Sequence, residues 1–292
     1  MSITEEKPVT KRQGHGKKLS FYDFGATTFF ASQFDQRFSY CLYVPEDYDE
    51  DGTETHELIV IIHGTGRTAA QYRDHFANFA RENRCIVLAP LFPAGIVVQG
   101  DLANYKRIEF HGIRFDHILL SMIDEVAAKY RLKSNRAIMY GFSGGGQFCQ
   151  RFFMLHPHRL KAVSIGAPGV VTLLNSDYDW WVGVRDVEAR FGCRIDLEAM
   201  KAVTVHTVIG EEDTATWEIA IPRDSAFWMD GADLQGDCRI DRIEALAKSF
   251  EAHGIAVRRD RVPGVAHEPF KVLEPVEAFF ADVLRSQSWP YR

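Results

Sequence analysis

The sequence predicts an α/β protein built on a mostly parallel, eight-stranded sheet flanked by helices. Three observations carry this expectation. Apolar runs of strand length recur at 26–32, 38–44, 58–62, 85–89, 137–140, 162–165, 203–209 and 257–262. Segments with helical spacing separate most of them, which implies crossover connections and parallel pairing. One run, Leu58-Ile59-Val60-Ile61-Ile62, is apolar at every position, as expected of a strand covered on both faces.

The first two strands have no helix between them and so form an antiparallel edge, the second closed by Pro45 and the acidic turn 46–52. Residues 69–83 place Tyr72, Phe76, Phe79 and Ala80 on one side of a helix. The strand over 85–89 is ended by Pro90. Over 113–131, Ile118, Met122, Val126 and Tyr130 recur every fourth residue, the stripe of a long amphipathic helix. Further helices are expected over 146–155, 239–253 and 272–286. Residues 169–200 break the rhythm, with Tyr178, Trp180, Trp181 and Phe191 set among Asp, Arg and Gly. They read as a small, cap-like insertion after the strand that follows the 146–155 helix. It would cover the C-terminal edge of the sheet, where open α/β sheets bind ligands. Residues 1–20 read as a flexible leader and 21–292 as one domain.

Of the 292 residues, 46% are apolar and 25% charged, an ordinary globular balance. A net charge of −6 argues against a nucleic-acid or anionic-membrane partner held by bulk electrostatics. The basic residues Lys11, Arg12, Lys17 and Lys18 lie in the leader and read as a solvated tail. The first twenty residues hold no apolar core of the length a secretory signal needs, and no run approaches a membrane span. Five cysteines, none in a C-x-x-C pair, suit free thiols in a reducing compartment. The expectation is a soluble cytoplasmic protein. With no phosphate-loop pattern and no H-E-x-x-H, neither cofactor nor metal is expected.

The chemistry centres on Gly141-Phe142-Ser143-Gly144-Gly145, a G-x-S-x-G pattern with a strand before it and a helix after it. A serine on a sharp strand-to-helix turn has strained backbone and close neighbours, and glycine two residues either side leaves room for it. The following helix aims free N–H groups at the same spot. A serine hydroxyl needs a base, and the base needs a third group to hold its tautomer. His267, in Pro263-Gly264-Val265-Ala266-His267, lies in a loop past the last strand and is the candidate base; the alternative is a structural loop residue. His156 and His158 read as surface or capping groups, His206 as a strand residue, and His253 as a helix C-terminal one. The acid comes from Gly210-Glu211-Glu212-Asp213, with Asp213 chosen and Glu212 second; either could instead cap a helix starting near Thr214. Gly144 supplies one oxyanion donor by position. The second is assigned to the Thr65 N–H in Ile62-His63-Gly64-Thr65-Gly66, with Gly66 next, unless this is a plain glycine-rich turn.

With these residues in place, the chain resembles the serine α/β-hydrolases, and within them the branch of feruloyl esterases and polyhydroxybutyrate depolymerases. The likeness rests on Tyr40-Cys41-Leu42-Tyr43-Val44-Pro45, the His63-Gly64 turn, Asp116 opening the long helix, the Ser143 pentapeptide, Gly210 to Asp213, and Pro263 to His267, and covers about residues 38–270. It implies the α/β-hydrolase fold and a serine hydrolase acting on a small-molecule carboxylic ester. Ser143, His267 and Asp213 would form its triad, with Thr65 and Gly144 as oxyanion hole. A thioesterase or peptidase would use the same residues, and a non-catalytic ligand receptor is the rival from another class. Secreted members of the branch have signal peptides and disulfides, which this sequence lacks, so polymer degradation outside a cell is not expected. Trp180, Trp181, Trp217 and Trp228 are candidates for the walls of an acyl site, at least two of them expected to be ordinary core.

Overall fold

The computed structural model describes residues 19–287. The basic leader therefore lies outside the described residues, except that Leu19 already packs into the core. A short turn of 3₁₀ helix leads into β1 (Gly25–Ala26), β2 (Phe30–Ala31), β3 (Ser39–Val44) and β4 (Glu57–Ile62). Helices α1 (Ala69–His75) and α2 (Ala77–Glu82) precede β5 (Cys85–Leu91). A hairpin of β6 (Glu109–Phe110) and β7 (Ile113–Arg114) opens onto α3 (Phe115–Lys129), β8 (Ala137–Phe142), α4 (Gly144–Leu155) and β9 (Leu160–Gly166). Two short helices, α5 (Val187–Phe191) and α6 (Leu197–Lys201), come before β10 (Thr204–Gly210). The order closes with α7 (Arg239–Ala252), β11 (Val257–Val262) and α8 (Leu273–Gln287).

The main sheet runs β1-β3-β5-β4-β8-β9-β10-β11, with β2 also on β3. Pairing is parallel from β5 through β11 and antiparallel where β3 meets β5, β1 and β2. The sheet thus has nine strands rather than eight, because the expected strand over 26–32 is two pieces. Thr27 explains the break: its N–H donates to the Leu42 carbonyl, and its hydroxyl accepts the Leu42 N–H at 2.9 Å. A side chain thereby takes the place of a ladder carbonyl.

Two helices replace the single one expected over 69–83. At Phe76 (φ −91°, ψ 0°) the N–H turns back to the Arg73 carbonyl, yet the ring stays fully buried and the apolar stripe continues. Pro90 lies inside β5 instead of ending it, because the β4 pairing stops at Leu88 and leaves no ladder bond on that side. Ile113 and Arg114 belong to the hairpin, so the long helix starts at Phe115.

The all-apolar β4 is explained by its two faces. Leu58, Val60 and Ile62 join a core with Ile118 and Met122 of α3 and Phe148 and Phe152 of α4. Ile59 and Ile61 join the opposite core with Phe76 and with Phe279 and Phe280 of α8. Among the described residues, no helix is long and apolar enough to cross a membrane.

Candidate active site

Strand β4 lies between β5 and β8, so the chain leaves it toward one side and returns on the other. That reversal opens a crevice at the C-terminal strand ends. The 63–66 loop follows β4, and Ser143 follows β8. Ser143 has φ 58° and ψ −115°, in the left-handed half of backbone space that non-glycine residues avoid. The turn is held by the Ser143 N–H on the Gly166 carbonyl at 2.9 Å and by the Gln147 N–H on the Ser143 carbonyl at 3.0 Å. The flanking glycines are needed for contact. A Cβ on Gly141 would sit 2.5 Å from the Gly145 carbonyl group, and one on Gly145 would overlap the Ile62 carbonyl. Strand, helix and β4 therefore meet backbone to backbone at the serine.

Two further loops bring acid and imidazole together. The Glu211 N–H donates to the Val262 carbonyl and the Glu212 N–H to the Val265 carbonyl, which stitches the loop after β10 to the loop after β11. Across that seam His267 Nδ1 donates to Asp213 Oδ2 at 2.6 Å. The other carboxylate oxygen accepts from Arg239 Nη1 at 3.2 Å, and Arg239 Nη2 donates to Glu218 at 2.6 Å. Asp213 is buried while Glu212 is exposed. No helix begins near Thr214, since α7 starts at Arg239, so a capping role for either acid falls away. With Nδ1 committed to Asp213, the lone pair of a neutral imidazole sits on Nε2. Ser143 and His267 line one cleft of about 670 Å³, and the His267 ring lies 4.8 Å from the Phe142 ring. Among the described residues no hydrogen bond joins Ser143 Oγ to His267, and what they share is the cleft they line.

The loop after β4 is braced from behind. The Phe92 N–H donates to His63 Nε2 at 3.0 Å, so Nδ1 carries the proton and donates to the Gly64 carbonyl at 2.8 Å. Burial holds the His63 pKa down to about 4, against smaller upward pulls from its backbone partners. Arg67 Nη1 donates to the Thr65 carbonyl at 2.6 Å. Each carbonyl is thus tied on one side, and a trans peptide sends its N–H to the other. The Thr65 N–H finds no acceptor among the described residues, and neither does the Gly144 N–H. Thr65 and Gly144 are close: a Cβ on Gly144 would lie 3.2 Å from Thr65 Oγ1 and 3.0 Å from Lys106 Cε.

Several lining residues carry no signal in the sequence. Lys106 faces the cleft without an ion pair among the described residues, and burial drives its pKa down to about 8. Arg239, Arg67 and the brace of His63 rest on pairings distant in sequence. Of the four tryptophans named as candidate walls, Trp217 alone lines the Ser143 cleft. Trp180 and Trp181 are buried core and, with Trp228, line a different pocket. Of residues 169–200 only Gly169 reaches the cleft; Trp217, Glu218 and Ile219 come instead from the long connection between β10 and α7.

The other histidines divide as follows. His156 is half-buried and is the C-cap of α4, so the capping option holds rather than the surface one, and its Nε2 bonds the buried Asp116 at 2.7 Å. His158 is exposed beside Asp196, His206 is buried between Ser164 and Asp260, and His253 bonds the Ser249 carbonyl at the end of α7.

No family model and no curated protein matches the sequence. Solved structures do. A poly(aspartic acid) hydrolase from Sphingomonas sp. KT-1 superposes with a TM-score of 0.69 at 23% identity, over 87% of this chain and 97% of that one. A poly(3-hydroxybutyrate) depolymerase from Bordetella parapertussis gives 0.63 at 20% identity, covering 87% and 85%. An S-formylglutathione hydrolase from Staphylococcus aureus gives 0.57 at 14% identity, covering 88% and 97%. Together with the parallel sheet, the flanking helices and the serine at the β8–α4 turn, these likenesses give the chain the α/β-hydrolase fold.

Proposed function

We propose that this protein is a cofactor-independent serine hydrolase that cleaves small-molecule carboxylic esters through an acyl-enzyme. The observation that carries the reading is the left-handed Ser143 in the same cleft as an imidazole already held through Nδ1 by Asp213. Ser143 Oγ attacks the ester carbonyl while His267 Nε2 takes its proton; the same nitrogen returns that proton to the departing alcohol. Water then attacks the acyl-enzyme by the reverse path. Asp213 keeps the imidazole in the useful tautomer and stabilises the imidazolium, with Arg239 fixing the far carboxylate oxygen. The Thr65 and Gly144 N–H groups bind the oxyanion.

The structural neighbours support this class, since their names are those of hydrolases acting on polymers or on a thioester. Thioester and amide substrates draw on the same groups. All five cysteines are free, which fits the reducing cytoplasm as the protein's location. The test is a fluorophosphonate probe alongside p-nitrophenyl esters of graded acyl length. The parent should be labelled and should hydrolyse the esters. Ser143→Ala should fold normally, take no label and lose about 10⁴–10⁶-fold in kcat. Turnover near the parent's in a clean Ser143→Ala preparation overturns the reading.

A further inference from the structure

The segment that turns Lys106 toward Ser143 turns its neighbour, Arg107, the other way. Arg107 lines a second pocket of about 280 Å³ that shares no residue with the Ser143 cleft. Its guanidinium lies 4.1 Å from the Phe227 ring centre and 5.3 Å from that of Trp181, within cation–π range of both. Its Nε is buried without a hydrogen-bond partner. Burial lowers the pKa of this arginine to about 10, and Asp101 is the one acid that pulls against it. Behind it, the fully buried Arg151 feels the repulsion of Arg107 and also has a partnerless nitrogen, Nη2. Buried cations without a counter-charge are costly and rare.

The rest of the pocket defines what could supply that charge. Arg190 and Glu109 pair at 2.6 Å and neutralise each other, which leaves Arg107 as the uncompensated charge on the wall. The indole N–H of Trp180 is spent on the Arg107 carbonyl and that of Trp181 on the Phe227 carbonyl. Trp180 and Trp181 therefore offer the pocket carbon faces rather than donors. A guanidinium held against aromatic rings still has its planar fork of N–H donors for a planar acceptor, the geometry of a carboxylate.

We propose that this pocket binds a small monocarboxylic acid with a flat apolar body, its carboxylate on the edge of Arg107 and its body against Phe227, Trp228 and Met229. The volume is at the small end for ligand pockets, which suits a single-ring acid. The site does not depend on Ser143 being a nucleophile.

Isothermal titration calorimetry with 3-phenylpropanoate and its neutral amide tests this on the whole protein. The acid should bind at least tenfold more tightly than the amide, the margin of a charge-assisted hydrogen bond. Arg107→Gln should remove that preference, and Phe227→Ala should weaken the acid several-fold. Phe227 is 38% exposed, so its truncation spares the core and keeps the test decisive if Arg107→Gln does not fold. Trp217→Ala, in the wall of the Ser143 cleft, should leave binding unchanged. Equal binding of acid and amide, or no binding of the acid at millimolar concentration, overturns the proposal. So does loss of binding in Trp217→Ala with none in Phe227→Ala, which would put the acid in the Ser143 cleft.

Discussion

Asp213 faces an imidazole with one oxygen and a guanidinium with the other, so its carboxylate cannot rotate without breaking a bond. A fixed acceptor on Nδ1 selects the tautomer that leaves Nε2 free, and a fixed anion also stabilises the imidazolium. Asp213→Asn should therefore cut kcat by about 10⁴-fold, the effect of a wrong tautomer. Glu212→Gln should hydrolyse p-nitrophenyl esters at close to the parent rate, because its contribution is a backbone N–H on Val265. A dead Glu212→Gln beside an active Asp213→Asn would reverse the assignment. The candidates Ser143, Asp213 and His267 stand out in the sequence because each lies in a glycine-bearing turn that comes after a strand run. Arg239 could not: it opens α7 like any helical residue, and only the folded chain brings it back to Asp213. Lys106 and the brace of His63 were hidden for the same reason, their placement being set by tertiary contact.

The turn after β4 works as a rigid unit, since His63 and Arg67 hold the carbonyls of two successive peptides. If the Thr65 N–H is the oxyanion donor, removing the side chain should matter little and removing the N–H should matter greatly. Thr65→Ala should keep most of the activity, and Thr65→Pro should lose about 10²–10³-fold in kcat. The comparison requires a Thr65→Pro protein that melts near the parent temperature, because proline also restricts Gly64. A folded, fully active Thr65→Pro would move the donor to Gly66. A crippled Thr65→Ala would make the hydroxyl the working group. Elements of this kind were legible where burial alone decides them, as in β4 and β8, whose residues are all buried. Boundaries set by one hydrogen bond were not: Thr27 splits an edge strand and Phe76 splits a helix without disturbing the apolar pattern. Of the connection between β10 and α7, Trp217 was legible as a wall of the cleft, while Glu218 and Ile219 were missed because the segment has no periodicity to read.

Asp116 ties distant parts of the molecule together, joining the β6–β7 hairpin through Arg114 and the end of α4 through His156 to the first turn of α3. Burial by itself would raise its pKa, but the bonds from His156 and Arg114 outweigh that and hold it at about 2. A carboxyl lowered in the folded state stabilises it fully above the unfolded value near 4, and that contribution disappears as the pH falls through about 2. His63 acts over an earlier window. Its folded value of about 4 lies below the ordinary imidazole value of 6.5, so the unfolded chain gains protons first and stability declines between the two. Acid should therefore weaken the fold in two stages, the imidazole stage before the carboxylate stage. Asp116→Asn should cost about 2 kcal/mol at pH 7 in urea denaturation, the free energy of a shift of that size. Its deficit against the parent should close as the pH falls below about 4 and approaches 2. A deficit that stays constant down to pH 2 would mean that the loss comes from packing, and that the charge of Asp116 does not hold the hairpin and α4 to α3.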